Sequence, residues 1–271
     1  MPAAAPPDGQ PGTRLPPTPP RVPLFGRLRI AVRIAGMVLL LLACVPLRYA
    51  WMLAGARHNP WPRRFLGGIA RIAGVRIVVS GEPARPGAIL IANHVSWIDI
   101  AALAGASGTA FVAHDGLAAV PLLRWLCAMN DTVFIARHDR AGVARQVAQV
   151  REAIRDTGAL AIFPEGTTSD GTAVLPFKSS LLSAIEPVPP GIAVQPVLLD
   201  YGREAAQIAW VGEESGVANF RRILARRRPL VLTIRFLPPL AGGDLAGRKA
   251  VAAAARAAIL AALAGDQRVA L

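Results

Sequence analysis

The stretch IANHVSWIDI, residues 91–100, decides how this chain is read. An apolar run ending at Ala92 stops abruptly in a cluster of Asn93, His94, Ser96, Trp97 and Asp99. Ser96-x-x-Asp99 has the spacing of a capping box, with Ser96 as the N-cap of a following helix. That accounts for Ser96 and Asp99 but not for His94. A histidine in the turn after a core strand sits where α/β folds hold their sites, at the carboxyl ends of strands. Residues i and i+5 point about 140° apart on a regular helix. His94 therefore meets Asp99 only if the chain turns between them, as a strand–turn–helix join allows. The pair would then be a general base whose tautomer a carboxylate holds. Spacing alone is weak: with four histidines and ten aspartates in 271 residues, some His-x4-Asp arises by chance in roughly one sequence in seven.

Outward from that turn, from residue 75 on, strand-like runs alternate with helical stretches. The strands are VRIVVSG, AILIAN, TAFVA, TVFIA, ALAIF, IAVQPVLLD and LVLTIRF, and helical signals fall at 141–155 and around Leu181. Proline and glycine punctuate the joins. This rhythm predicts an α/β fold with a mainly parallel sheet flanked by helices, closed by an alanine-rich helix over 245–263. Pro196 inside its strand predicts an edge or a bulge.

Before residue 75 the texture differs. Residues 1–23 hold nine prolines and few large apolar groups, so a disordered tail is expected over 1–25. That tail has no signal-peptide pattern. From Ile34 to Leu47 there is no charge, but the run is 14 residues long, is bracketed by Arg33 and Arg48, and contains Pro46. A clean span needs about 20 apolar residues. The expectation is a membrane-embedded helical anchor over 26–74, monotopic or re-entrant: a helix, a break near Pro46, then a second helix, with a single true span as the alternative. Its arginines would snorkel to headgroups, with Trp51 and Trp61 at the interface. The catalytic domain would cover 75–265.

The formal net charge is +13, and 28 of the 30 basic residues are arginine. Such a surface suits anionic partners. The run RRILARRRP, 221–229, fits either a solvated face or bilayer contact. Cys44 and Cys127 are far apart and outside any CxxC, which argues against a disulfide framework or a zinc site. Neither a P-loop nor a dinucleotide fingerprint occurs, so no bound cofactor or metal is expected.

Three further stretches could carry chemistry. In AIFPEGTTSDG, 161–171, a strand runs into glycine and small polar residues whose N–H groups can cradle an anion, with hydroxyls on Thr167, Thr168 and Ser169. LPFKSSLL follows, where Lys178 and two serines open a helix and make a second anion-friendly spot. In NDTVFIARHDR, 130–140, Arg137 follows a strand, the right place for an anion clamp.

Taken together, NHxSWxD, then F-I-x-R, then F-P-E-G-T, then a strand with Q-P-V resemble the glycerolipid acyltransferase family from about residue 30 to 240. Its best-known members make phosphatidic acid from 1-acylglycerol 3-phosphate. The resemblance implies an α/β domain with a helical pair in one leaflet, and His94 and Asp99 as catalytic residues. The histidine would deprotonate the acceptor hydroxyl, which attacks an acyl thioester of acyl carrier protein or coenzyme A. It implies that Arg137, Glu165 and Gly166, with Thr167, Thr168 and Lys178 beside them, hold the acceptor headgroup. It also implies membrane lipids as partners and a catalytic domain on the cytoplasmic face of a bacterial inner membrane.

Three departures bear on the acceptor. Thr168 stands where many phosphatidic-acid makers have arginine, His114 where the family often has lysine, and Asp131 where the second block often opens with glycine. F-P-E-G-T-T-S-D-G also resembles the bacterial branch that acylates lyso-ornithine lipid, an acceptor without phosphate. The acceptor expected here is 1-acylglycerol 3-phosphate, with lyso-ornithine lipid as the alternative. A lipid hydrolase lacks its GxSxG elbow. A nucleic-acid module lacks a motif and, at 6% aromatics, a stacking platform.

Overall fold

The computed structural model describes residues 23–56, 58–84, 86–114, 121–130, 132–135 and 143–269. The proline-rich segment 1–22 lies outside them. Two helices come first, α1 (Leu24–Leu53) and α2 (Trp61–Ile72). Then follow β1 (Val75–Ser80), β2 (Ala88–Ala92), α3 (Ile98–Ser107), β3 (Ala110–His114), α4 (Pro121–Met129), β4 (Val133–Ile135), α5 (Val143–Thr157) and β5 (Ala159–Ile162). The chain continues through β6 (Ala193–Asp200), α6 (Ala205–Ile208), α7 (Gly216–Ala225), β7 (Leu230–Phe236) and α8 (Arg248–Val269). The helical signal around Leu181 becomes a 3-10 helix, Ser179–Ile185.

The strands form one sheet in the order β1-β7-β6-β2-β5-β3-β4, parallel throughout except for the antiparallel pair β6–β7. β2 is the middle strand, and all five of its residues are buried. Leu90 and Ala92 face one apolar layer, with α2, α3 and α7; Ile89 and Ile91 face the other, with α5 and α8. That two-sided burial explains why AILIA is apolar without alternation. Because β2, β5 and β6 run parallel, their carboxyl ends open on the same edge.

Pro196 does not mark an edge. It lies in β6, between β2 and β7, at the end of the β6–β7 ladder. The Leu237 N–H donates to the Pro196 carbonyl at 3.0 Å. In an antiparallel pair the return bond would come from the residue-196 N–H, which proline lacks. Gln195 Nε2 fills that role, donating to the Leu237 carbonyl at 2.9 Å. The buried amide also bonds the Glu82 carbonyl and the Ala84 N–H, so all of its duties are structural.

The anchor departs from expectation in two ways. α1 runs unbroken through Pro46 for 30 residues. The lost bond costs on the order of 3 kcal/mol in a helix interior, which the remaining turns and the packing on α2 outweigh. The break falls instead between Ala54 and Pro60. The arginines also turn inward rather than snorkel. Arg29 Nη1 donates to the Ala225 carbonyl at 2.6 Å and Arg33 Nη1 to the Leu224 carbonyl at 2.9 Å, at the end of α7. Arg48 Nε donates to the Met129 carbonyl at 3.1 Å, at the end of α4. Helix ends present unpaired carbonyls and partial negative charge, and a guanidinium satisfies both. The opposite face of α1 stays apolar and exposed, with Leu24, Phe25, Leu28, Val32, Leu39 and Leu42 each more than half accessible. By length and composition α1 is able to cross a membrane, with a mean hydropathy of 2.4 over its most apolar window.

Candidate active site

The site grows from the turn after β2. Asn93 is buried, and its side chain continues the ladder beyond the strand: Nδ2 donates to the Leu199 carbonyl at 3.0 Å, and Oδ1 accepts the Leu199 N–H at 2.8 Å. Every backbone polar group of the next two residues is then held. The His94 N–H donates to Glu165 Oε1 at 3.0 Å, and the His94 carbonyl accepts the Ser169 N–H at 2.7 Å. The Val95 N–H donates to Asp99 Oδ2 at 2.6 Å, and the Val95 carbonyl accepts the Trp210 N–H at 3.0 Å.

This clamped turn brings the two predicted residues together. His94 Nδ1 lies 2.8 Å from Asp99 Oδ2. Asp99 is fully buried, while the His94 side chain keeps 17% exposure. The imidazole stacks on Phe163 with ring centroids 4.3 Å apart and planes 18° from parallel, and Phe163 stacks in turn on Phe111. With Nδ1 bound to the carboxylate, Nε2 is the nitrogen left to exchange a proton.

Half of the capping box is built. Asp99 Oδ2 accepts the Ser96 N–H at 2.9 Å, but the helix N-cap is Trp97, and the buried Ser96 hydroxyl has no hydrogen-bond partner among the described residues. The three donors on Oδ2 (His94, Val95, Ser96) make Asp99 an organiser of the turn as well as the partner of the imidazole. Its other oxygen, Oδ1, accepts the hydroxyl of Tyr201, one residue past β6. Tyr201 is buried; burial first, and then the Asp99 charge, hold its phenol well above its ordinary value, so it remains a donor.

Glu165 does not stand at the surface, where a headgroup would meet it. It is 1% exposed, with Oε1 on the His94 N–H and Oε2 on the Leu175 N–H at 3.4 Å. It braces the histidine turn from below. Burial lifts its carboxyl to about 7, against the pull of those two amides. The Thr168 hydroxyl donates to the Trp210 carbonyl, so it ties two loops together. Gly166, Thr167 and Lys178 are exposed. Gly166 has φ +69°, and a Cβ there would come within 3.2 Å of Lys178 Nζ, so these two form one rim. Arg137 and Asp131 lie outside the described residues; His114 ends β3. Tyr201 and Phe163 escaped the sequence reading. Their signal was positional: each follows directly after a parallel strand whose carboxyl end opens beside His94.

The sequence and the fold both have relatives. A family model described as acyltransferase matches residues 76–200. The chain is 34% identical over 258 residues to the lyso-ornithine lipid O-acyltransferase of Rhodobacter capsulatus, covering 90% of this chain and 93% of that protein. It is 35% identical over 127 residues to the 1-acyl-sn-glycerol-3-phosphate acyltransferase of Neisseria gonorrhoeae, covering 46% of this chain and 49% of that one. The crystal structure of the 1-acyl-sn-glycerophosphate acyltransferase of Thermotoga maritima shares the fold, with a TM-score of 0.61 at 18% identity over 89% of this chain and 98% of its own.

Proposed function

The chain belongs to the acyltransferase family and is an acyltransferase, and from that premise we propose that it moves a fatty acyl group from an acyl thioester to the hydroxyl of lyso-ornithine lipid. One observation carries the choice of acceptor: the likeness to the Rhodobacter lyso-ornithine lipid enzyme runs over nearly the whole of both chains, whereas the likeness to the Neisseria enzyme covers about half of each. The comparisons thus favour the alternative over 1-acylglycerol 3-phosphate. Thr168 supports the same reading, because its hydroxyl is spent on the Trp210 carbonyl and no cation stands at that position to meet a phosphate.

In this mechanism His94 Nε2 takes the proton of the acceptor hydroxyl as its oxygen attacks the thioester carbonyl carbon. The carbon–sulfur bond breaks, the thiolate leaves, and the imidazolium returns the proton to sulfur. Asp99 holds the imidazole with Nε2 free and stabilises the imidazolium, as the aspartate of a hydrolase triad does. The donor is an acyl carrier protein or coenzyme A thioester. Since such thioesters are cytoplasmic, the domain works at the cytoplasmic face of the inner membrane, with the exposed face of α1 in the bilayer.

The test is acyl transfer by detergent-purified protein, with labelled acyl carrier protein thioester offered to lyso-ornithine lipid and lysophosphatidic acid in parallel and His94→Ala as control. Product with lyso-ornithine lipid, lost in the variant, is expected. Product with lysophosphatidic acid alone would return the acceptor to a phosphate lipid. Free fatty acid without either product would make the protein a hydrolase.

A further inference from the structure

Tyr201 is left over from this mechanism. Its hydroxyl is buried and makes its hydrogen bond to the one oxygen of Asp99 that the turn does not use. The two carboxylate oxygens are thus held from two directions: Oδ2 by the His94, Val95 and Ser96 nitrogens, Oδ1 by a phenol from the end of β6. The same strand end holds Asn93 through Leu199, so both ends of the turn are referenced to β6. Resting on the acyltransferase reading, we propose that Tyr201 is a positioning residue that sets the basicity of His94 through Asp99: its hydroxyl donates to Asp99 Oδ1 while His94 Nδ1 lies on Asp99 Oδ2.

The chemistry follows from the direction of that bond. A donor on Oδ1 draws off part of the carboxylate charge that would otherwise stabilise the imidazolium. It therefore makes His94 a weaker base and a better acid, which suits a group that must return its proton to the leaving thiolate. A phenol serves here because buried it stays neutral, so it tempers the carboxylate without adding a counter-charge. Glu165, from the segment after β5, carries a further titratable group that interacts with both members of the pair. It bonds the His94 backbone, not the ring.

The chain has two tyrosines, Tyr49 and Tyr201. In a Tyr49→Phe background, biosynthetic 3-fluorotyrosine therefore labels residue 201 alone and makes its hydroxyl a stronger donor while keeping ring and hydroxyl. Two readouts decide, both on the full chain in detergent. In the first, the acidic limb of kcat/KM against pH for acyl transfer is expected to move up by roughly half a pH unit or more in Tyr201→Phe, about threefold in proton affinity. It is expected to move down with fluorotyrosine. A limb that stays in place while the amplitude falls would make Tyr201 merely structural and overturn the proposal. In the second, the fluorine resonance is expected to titrate with His94, keeping its step in Glu165→Gln and losing it in His94→Ala. No step, or one that survives His94→Ala, overturns the proposal. This second readout needs neither activity nor a folded Tyr201→Phe. Failure of all acyl transfer, with the fluorine step intact, would count against the proposed reaction and leave the coupling standing.

Discussion

His94 in the turn and Asp99 in the first turn of α3 depend on each other, and Asp99 also binds the N–H groups of Val95 and Ser96 and the Tyr201 hydroxyl. Asp99→Asn keeps the volume but offers an amide where Nδ1, two backbone N–H groups and a phenol all point. By analogy with the hydrolase triad, the turnover number should fall about 10^3 to 10^4-fold, with His94→Ala at least as low; single-turnover transfer with a labelled thioester measures both. Glu165 adds a pH dependence with a definite sign. Its folded value, about 7, lies above its unfolded value of 4.5, so its contribution is most favourable below 4.5 and is lost as pH rises through 7. The loss is on the order of 3 kcal/mol. The thermal midpoint of the wild type should therefore drop between pH 5 and 8 relative to its own acidic value, and Glu165→Gln should flatten that slope. An equal slope in both proteins would show that Glu165 is not the titrating group. The sequence pointed to Glu165 but not to this role, because whether a carboxylate faces a headgroup or a backbone amide depends on what packs over it.

At the scale of elements, the seven strands were legible because each is a short apolar run between turn residues. The helix around Leu181 was legible only as helical, and it closes as a 3-10 turn. α2 and α3 show what patterns do not carry. They cross with Gly67 against Gly105: a Cβ on Gly105 would stand 2.5 Å from the Gly67 Cα. Beside that crossing, Arg63 donates to the Gly105 and Ala106 carbonyls at 3.1 and 2.7 Å, closing the end of α3. The helix that carries Asp99 is thus locked backbone to backbone onto the second anchor helix. Gly105→Ala must push the helices apart, since the obstacle is main chain, and should cost about 1–3 kcal/mol. Chemical unfolding in detergent would show it; an unchanged midpoint would mean that the crossing is loose.

At the scale of the molecule, one apolar helix face and one basic corner lie next to each other. Arg29 and Arg33 bring the start of α1 to the end of α7, where Arg221, Arg227 and Arg228 are exposed and, among the described residues, have no acidic partner. Arg222 and Arg226 of the same run are already committed to Glu214 and Glu204. The run 221–229 is therefore divided between structure and surface, a division composition cannot make. Replacing Arg221, Arg227 and Arg228 together by glutamine should weaken binding to vesicles containing anionic lipid by roughly 1 kcal/mol per charge near the surface. Binding to neutral vesicles, driven by α1, should persist. Co-sedimentation at two salt concentrations separates these terms, and an equal loss on both vesicle types would remove the electrostatic account.

By itself the sequence determined the α/β class, the order of its strands along the chain, and the turn that holds His94 and Asp99. These follow from local periodicity and from spacing across a few residues. Only the tertiary structure decided that Glu165 supports the turn from beneath, that Gln195 supplies the bond Pro196 cannot make, that the anchor arginines close the ends of α4 and α7, and that Tyr201 reaches Asp99. Each of these joins residues far apart in the chain: Tyr201 and Asp99 are separated by 102 positions, Arg33 and Leu224 by 191. A hydrogen bond has no sequence period, so its partner is chosen only when the sheet brings the carboxyl ends of β2, β5 and β6 to one edge.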